Sequence, residues 1–424
     1  MLDALLSKAV AGLVFLAVYL LILLGLRELT VASLAGVAIL LLTRILDPYE
    51  MWLYVDFDLI ALLMGTMVVV EALEDMGFFR WAGLHMADLA RCEPLKTFLL
   101  FLFISLLLDA FTGDSIVVFL TMVVTIMEIA DLLEIDPRPL VLGLLFAVNI
   151  HISTPMSDLP PLLIATGGGF DFLEYVSNMW LPCYTSLGVF LVVFIYLNRD
   201  VFLKMRPKYM RLPIRPEEVI KDRRLFWFST CVFIAMVVGF VIGPYLGFSY
   251  GSVALIAAAV LLISVGGRIG PVLREVDWES IVSVMCLSML VGGLEKTGLI
   301  MDMTSILMAR AGGPLGITIV LWLSSLISAI IDNIPYTIAM ISILKTMEAR
   351  GVHVYPLWWA LAMGTGLGGN GTFVATYTNI VVVNEVARRG YKIDPKEFMK
   401  MGMMFVFLTT AITNLVLVLM FASG

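Results

Sequence analysis

Eight largely unbroken apolar runs, at about residues 9–26, 29–46, 57–73, 177–197, 225–247, 252–267, 279–294 and 401–421, each approach the length that crosses a bilayer as a helix, roughly 20 residues. That repetition points to an all-α polytopic membrane protein, because lipid admits only helices and closed barrels, and these runs are too long for barrel strands. Of 424 residues, 61% are apolar and 14% charged, where soluble domains carry about 25% charged residues. The run 9–26 has no Ala-x-Ala pattern before Arg27 and reads as a retained first helix. Cys92, Cys183, Cys231 and Cys286 form no C-x-x-C pair, so no structural metal site or disulfide framework is expected. With 27 basic residues against 34 acidic ones, no basic nucleic-acid surface is expected either.

Four further apolar stretches are interrupted. Residues 97–130 break at Asp109-Ala-Phe-Thr-Gly-Asp114 and 314–347 at Asp332-Asn-Ile-Pro335, which reads as two re-entrant hairpins. Residues 139–170 break at Asn149-Ile-His-Ile-Ser-Thr-Pro155 and again at Pro160-Pro161, and 357–388 break across Gly364 to Gly371, which reads as two broken transmembrane helices. Such breaks survive at membrane depth only where protein or a water-filled cavity receives the freed backbone.

The breaks recur in matched order, as an internal repeat does. Val55-Asp56-Phe57 returns as Val276-Asp277-Trp278, and Ser105-Leu-Leu-Leu-Asp109 as Ser328-Ala-Ile-Ile-Asp332. The expected organisation is a first repeat over 1–200, a basic linker over 201–224 and a second repeat over 225–424. If each hairpin returns to its side of origin, each half crosses five times, so the two halves are inverted. Placing the linker in the cytoplasm then puts 21 of the 27 Lys and Arg residues inside, as the positive-inside rule asks.

Inverted halves with hairpins and broken helices describe a secondary transporter, whose site lies where the helices break. The polar residues fall there: Asp109, Thr112 and Asp114 in the first hairpin, and Asp332, Asn333 and Thr337 in the second. The first broken helix offers Asn149, Ser153, Thr154 and Asp158; the second offers Asn370, Thr372, Thr376 and Asn379. Asp109 and Asp332 precede turns, so capping of the second hairpin arms, alone or together with ion binding, accounts for both. Asp114 and Asp158 are the better proton carriers, Asp114 because its repeat mate is the neutral Thr337. His151 can relay a proton or serve as a hydrogen-bonded structural residue. The asparagines suit sodium or a neutral solute, or satisfy one another and the broken backbone. Glu71 and Glu128, near segment ends, suit salt bridges. The glycine run lacks the strand and Lys-Ser/Thr of a phosphate loop, so ATP is not the direct energy source.

These residues resemble the ArsB/NhaD group of the ion transporter superfamily, which holds arsenite permeases, sodium/proton antiporters and P-protein permeases. The likeness is carried by Ser328 to Pro335, Pro356-Leu-Trp-Trp-Ala-Leu-Ala362, Gly368-Gly-Asn-Gly-Thr372, Asn379 and Gly390-Tyr-Lys-Ile393, and is closest to the P-protein branch. The resemblance implies a transport site at Asp332, Asn333, Asn370, Gly371, Thr372 and Asn379. In the first half this chain has His151 and Ile152 where the group typically has paired glycines, and Leu159 at the usual Asp position.

The expected activity is proton-coupled export of arsenite, antimonite or Na+ across the cell membrane, with H+ or Na+ as coupling ion and no other cofactor. A sodium-coupled carboxylate or oxyanion carrier is the alternative, although the breaks offer no Arg or Lys. A channel, or the membrane subunit of an ATP-driven pump with its separate ATPase, also stays open, as does a homodimer. No nucleophile–base pair marks an enzyme.

Overall fold

The structure, a computed structural model, describes residues 2–23, 26, 28–91, 93–112, 116–202, 215–265, 269–308 and 313–421. The described residues form helices and no strands. The first part of the chain comprises α1 (Leu2–Leu23), α2 (Leu29–Leu42), α3 (Phe57–Asp75), α4 (Phe78–Ala90), α5 (Pro94–Thr112), α6 (Ile116–Leu132), α7 (Arg138–Ile150), α8 (Leu159–Gly168) and α9 (Phe172–Leu197). A short α10 (Arg199–Phe202), α11 (Arg223–Ile242), α12 (Tyr250–Val265) and α13 (Ile269–Glu275) follow. The chain then runs through α14 (Trp278–Thr297), α15 (Leu299–Met308), α16 (Gly313–Ser328), α17 (Asn333–Ala349), α18 (Tyr355–Gly368), α19 (Tyr377–Arg388) and α20 (Pro395–Phe421). The order from α3 to α9, a long helix, a short one, a helical pair, two half-length helices and a long helix, recurs from α14 to α20.

Six stretches are long and apolar enough to cross a membrane: Leu5–Ile22, Pro94–Thr112, Phe172–Leu197, Arg223–Leu246, Trp278–Thr297 and Pro395–Phe421. The chain is therefore an integral, multi-pass membrane protein. By contrast α7 has 13 residues and α8 has 10. At 1.5 Å per residue neither reaches across a hydrocarbon core of about 30 Å.

Aspartates start many of these helices, because a carboxylate accepts from backbone N–H groups that have no partner in the first turn. Asp56 accepts from the N–H groups of Asp58 and Leu59 at the head of α3, and Asp277 from that of Ser280 at the head of α14. The recurring Val-Asp-aromatic motif is thus a recurring N-cap. Replacing Asp56 with Ala is expected to cost about 1 kcal/mol, seen as a lowered thermal midpoint in detergent; an unchanged midpoint would refute the cap's contribution.

Two expected break points move. Pro160 and Pro161 do not interrupt a helix a second time: they sit in the first turn of α8 behind the N-cap Asp158, where a missing N–H costs nothing. The glycine run straddles the second break: α18 continues through Gly368, and the interruption spans residues 369–376, so only Gly369 to Gly371 of the run lie in it. Gly364 and Gly368 instead allow α18 to touch α16: a Cβ on Gly364 would lie 2.4 Å from Ser324 Cβ, and one on Gly368 2.5 Å from the Ser325 carbonyl oxygen.

The core is aromatic where α7, α9 and α20 meet. Phe190 packs on Phe405 with centroids 4.7 Å apart, and Phe146 packs on Phe398 at 5.2 Å. Beside it the carbonyl freed at the end of α7, that of Ile150, accepts a hydrogen bond from Cys183 Sγ at 3.4 Å.

Candidate functional site

The interrupted segments converge on a cavity of about 1060 Å3. Asp109, Asn149, Asp158, Asp332 and Asn333 line it, and Glu28, Asp277 and Glu279 form an acidic rim at the starts of α2 and α14, where Glu28 and Glu279 are exposed. Ile22, Leu29, Val148, Ile330 and Ile331 supply much of its apolar wall. Six carboxylates thus border one space, and no Lys, Arg or His among the described residues does so. Low-dielectric walls lined by one sign of charge focus the field and raise the local concentration of counter-ions.

Helix ends determine where several of these groups point. Asp332 caps α17, accepting from the Ile334 N–H at 3.0 Å, and Asp158 caps α8, accepting from the Leu159 N–H at 2.7 Å. Asp277 caps α14 in the same way. The N-termini of α8, α14 and α17, which could otherwise attract an anion, are therefore engaged by the protein's own carboxylates, whereas α19 starts on the Thr376 hydroxyl and α2 has no side-chain cap.

Asp109 is different, and the expectation that it caps the second arm of its hairpin is corrected. It lies inside α5, three residues before that helix ends. Its Oδ2 stands 3.0 Å from His151 Nδ1, and His151 Nε2 stands 2.9 Å from Ser153 Oγ. Thr154 Oγ1 donates to the Ala110 carbonyl at 2.5 Å, so a second bond joins this hairpin to the break after α7. The order Asp–His–Ser is that of a hydrolytic triad. Ser153, however, is 3% exposed and does not border the cavity.

Three asparagines join the two broken helices. Asn149 Nδ2 donates to Asn370 Oδ1 at 2.9 Å and to Asn379 Oδ1 at 3.2 Å. Asn370 Nδ2 donates to the Phe146 carbonyl, and Asn379 Nδ2 to the carbonyls of Gly369 and Thr372. Only Asn149 of the three borders the cavity. Asn149 is half-buried, whereas the other two are fully buried and hold backbone carbonyls.

Of the expected site residues, Asp109, Asn149, Asp158, Asp332, Asn333 and Thr376 are brought together around the cavity. His151 and Ser153 stand behind Asp109, and Asn370, Thr372 and Asn379 stand behind Asn149, all buried. Gly371 is a packing position, where a Cβ would lie 2.4 Å from Ala329 Cβ. Thr112 faces a smaller pocket, and Asp114 lies outside the described residues. Glu128, as expected, forms a salt bridge, 3.1 Å from Arg80. Sequence reasoning missed the acidic rim. Asp277 carried a signal in its repeat motif, but Glu28 and Glu279 were indistinguishable from ordinary segment-end charges.

Residues 19–364 match the model of the citrate transporter family, CitMHS. An uncharacterized transporter of Mycobacterium bovis is 27% identical over 97% of this chain and 98% of its own length. An uncharacterized transporter of Synechocystis is 26% identical over 92% of each chain. The mouse P protein is 25% identical over 82% of this chain and 52% of its own length.

Proposed function

This chain belongs to the citrate transporter family, whose model covers most of its length, and from that premise we propose that it is a secondary active carrier of a small inorganic cation or neutral solute, exporting Na+ or arsenite against protons across the cell membrane. The observation that carries the reading is the cavity lined by six carboxylates with no described basic side chain. Each carboxylate interacts favourably with a cation and unfavourably with an anion, by about 4 kcal/mol at 4 Å with an effective dielectric of 20. The chain then sits in the ArsB/NhaD branch of the superfamily, in line with its likeness to the P protein.

The recurring element order supports two inverted halves, each with a hairpin and a broken helix. With the linker in the cytoplasm, the rim at Glu28, Asp277 and Glu279 lies on the cytoplasmic side, and the cavity corresponds to an inward-open state. In the transport cycle α1 to α3, α11, α12 and α14 stay fixed while the hairpin and broken-helix units shift. The second reading is citrate or another carboxylate, favoured by the family's description. It would bring an anion among six carboxylates, three of which already cap the starts of α8, α14 and α17.

Flux in reconstituted vesicles with an imposed pH gradient distinguishes the two. The expected result is gradient-driven movement of Na+ or arsenite, slowed at least about tenfold by Asp332→Asn, equivalent to ~1.4 kcal/mol. Gradient-driven citrate flux with neither solute moving would overturn the reading.

A further inference from the structure

The rim of the cavity carries an aromatic ring among its carboxylates. Tyr377, the first residue of α19, lines the same space as Glu28, Asp277 and Glu279, and all three act electrostatically on its hydroxyl. Asp277 is engaged by its own helix, accepting from the Ser280 N–H at 3.0 Å and from the Ser280 hydroxyl at 2.5 Å. Glu28 and Glu279 are exposed, and no basic side chain among the described residues borders the cavity to neutralise them. The two are held in a fixed relation, because Thr30 Oγ1 lies 2.6 Å from Ser283 Oγ and so fastens the start of α2 to α14.

Beside this acidic and aromatic rim the wall is apolar and uncovered. Ile330 is 55% exposed, Val374 40% and Tyr377 59%, and all three line the cavity together with Ile22 and Leu29 of α1 and α2. An ion or a small polar solute gains nothing from such a surface, whereas an apolar body laid on it releases water. The volume, about 1060 Å3, is that of a site for an organic molecule, since a single water occupies about 30 Å3 of liquid.

We propose that the cavity mouth binds an organic monocation, a tertiary or quaternary ammonium with an apolar body, its head held by Glu28, Glu279 and the ring of Tyr377 and its body laid against Ile330, Val374 and Ile22. An ammonium head is attracted by a carboxylate and by an aromatic ring together, and the aliphatic wall adds a contact that no inorganic cation makes. Glu28 and Glu279 belong to α2 and α14, which the transport cycle keeps fixed; Ile330, Val374 and Tyr377 belong to the hairpin and broken helix of the second half, which it shifts. The bound cation ties the two sets together and holds the inward-open state, so it is an inhibitor of the cycle and not its cargo. The inference rests on the transporter reading for this consequence, and not for the binding.

The test is thermal unfolding of the purified full-length protein in tetramethyl-, tetraethyl- and tetrapropylammonium chloride against KCl at equal ionic strength. The parent is expected to show a saturable rise in midpoint. Its half-saturating concentration should fall at least about tenfold from the tetramethyl to the tetrapropyl ion, as burial of two methylenes suffices to give. Glu279→Gln and Tyr377→Leu replace exposed side chains, and each should raise the half-saturating concentration of both ions at least about fivefold. Ile330→Ala should weaken the tetrapropyl ion at least about threefold and leave the tetramethyl ion unchanged. No rise with any ammonium ion, an equal rise with potassium hexanoate, or responses unaltered in both Glu279→Gln and Tyr377→Leu would overturn the site. Tetrapropylammonium on the cytoplasmic face should stop flux in vesicles; saturable binding with undiminished flux would overturn the lock. Absence of gradient-driven flux of any cargo, with the ammonium response intact, would overturn the transport reading alone.

Discussion

Asn149→Ala is expected to destabilise the protein by about 2–6 kcal/mol and to abolish solute flux. The Asn149 amide is the joint between the two broken helices, donating one hydrogen to Asn370 and the other to Asn379. Truncation leaves both acceptor oxygens without a donor in positions that are fully buried. An unsatisfied buried acceptor costs about 1–3 kcal/mol, and two are created. Asn149→Asp should be worse at neutral pH, because it replaces a donor with a carboxylate facing two amide oxygens. Denaturant or thermal unfolding in detergent reads the stability, and counterflow in vesicles reads the transport. If Asn149→Ala melts with the parent, the three asparagines are not a clamp, and their place is among the solute's ligands instead.

Gly364→Val and Gly368→Val are each expected to cost more than about 3 kcal/mol, the upper end of ordinary overpacking. The reason is what stands in the way. A Cβ at Gly364 meets the Leu321 carbonyl oxygen at 2.8 Å as well as Ser324 Cβ, and one at Gly368 meets the Ser325 carbonyl oxygen and, at 3.0 Å, the Ala329 backbone nitrogen. Backbone of a neighbouring helix has no rotamer to yield, so α16 and α18 would have to separate, and separation removes the van der Waals contact that holds membrane helices together. Gly188 in α9 is the control, because nothing lies within 4 Å of a Cβ built there. Gly188→Ala should raise stability by about 0.5–1 kcal/mol through helix propensity. Yield of monodisperse protein and its thermal midpoint decide the matter; Gly364→Val matching the parent in both would refute the close approach.

Much of the architecture was legible in the chain because bilayer thickness translates length directly into structure. An apolar run of about 20 residues has one stable form in lipid, so most of the long helices follow from the runs at 57–73, 177–197, 279–294 and 401–421. The interruptions were legible for the complementary reason: Asp109, Asn149 and Asp332 are costly in an apolar layer unless a cavity or partner receives them. Local signals were harder to weigh. Pro160 and Pro161 look like breakers wherever they stand, and only the register of Asp158 in front of them turns them into a helix start. Gly364 and Gly368 look like flexible backbone, but flexibility and close approach ask for the same residue, and which applies depends on whether another helix is there.

What the sequence determined by itself was class and where along the chain the polar breaks fall, since hydropathy and helix length act through nearest neighbours and the solvent. What only the tertiary structure decided was which polar groups face one another. His151 meets Asp109 from 42 residues away, and Asn149 meets Asn370 from 221 residues away. Glu28, Asp277 and Glu279 join Asp109, Asp158 and Asp332 around one cavity. Those pairings depend on helix rotation and crossing, which are set by side-chain packing across the whole bundle. The cavity's charge is therefore a property of the assembled helices and not of any one of them.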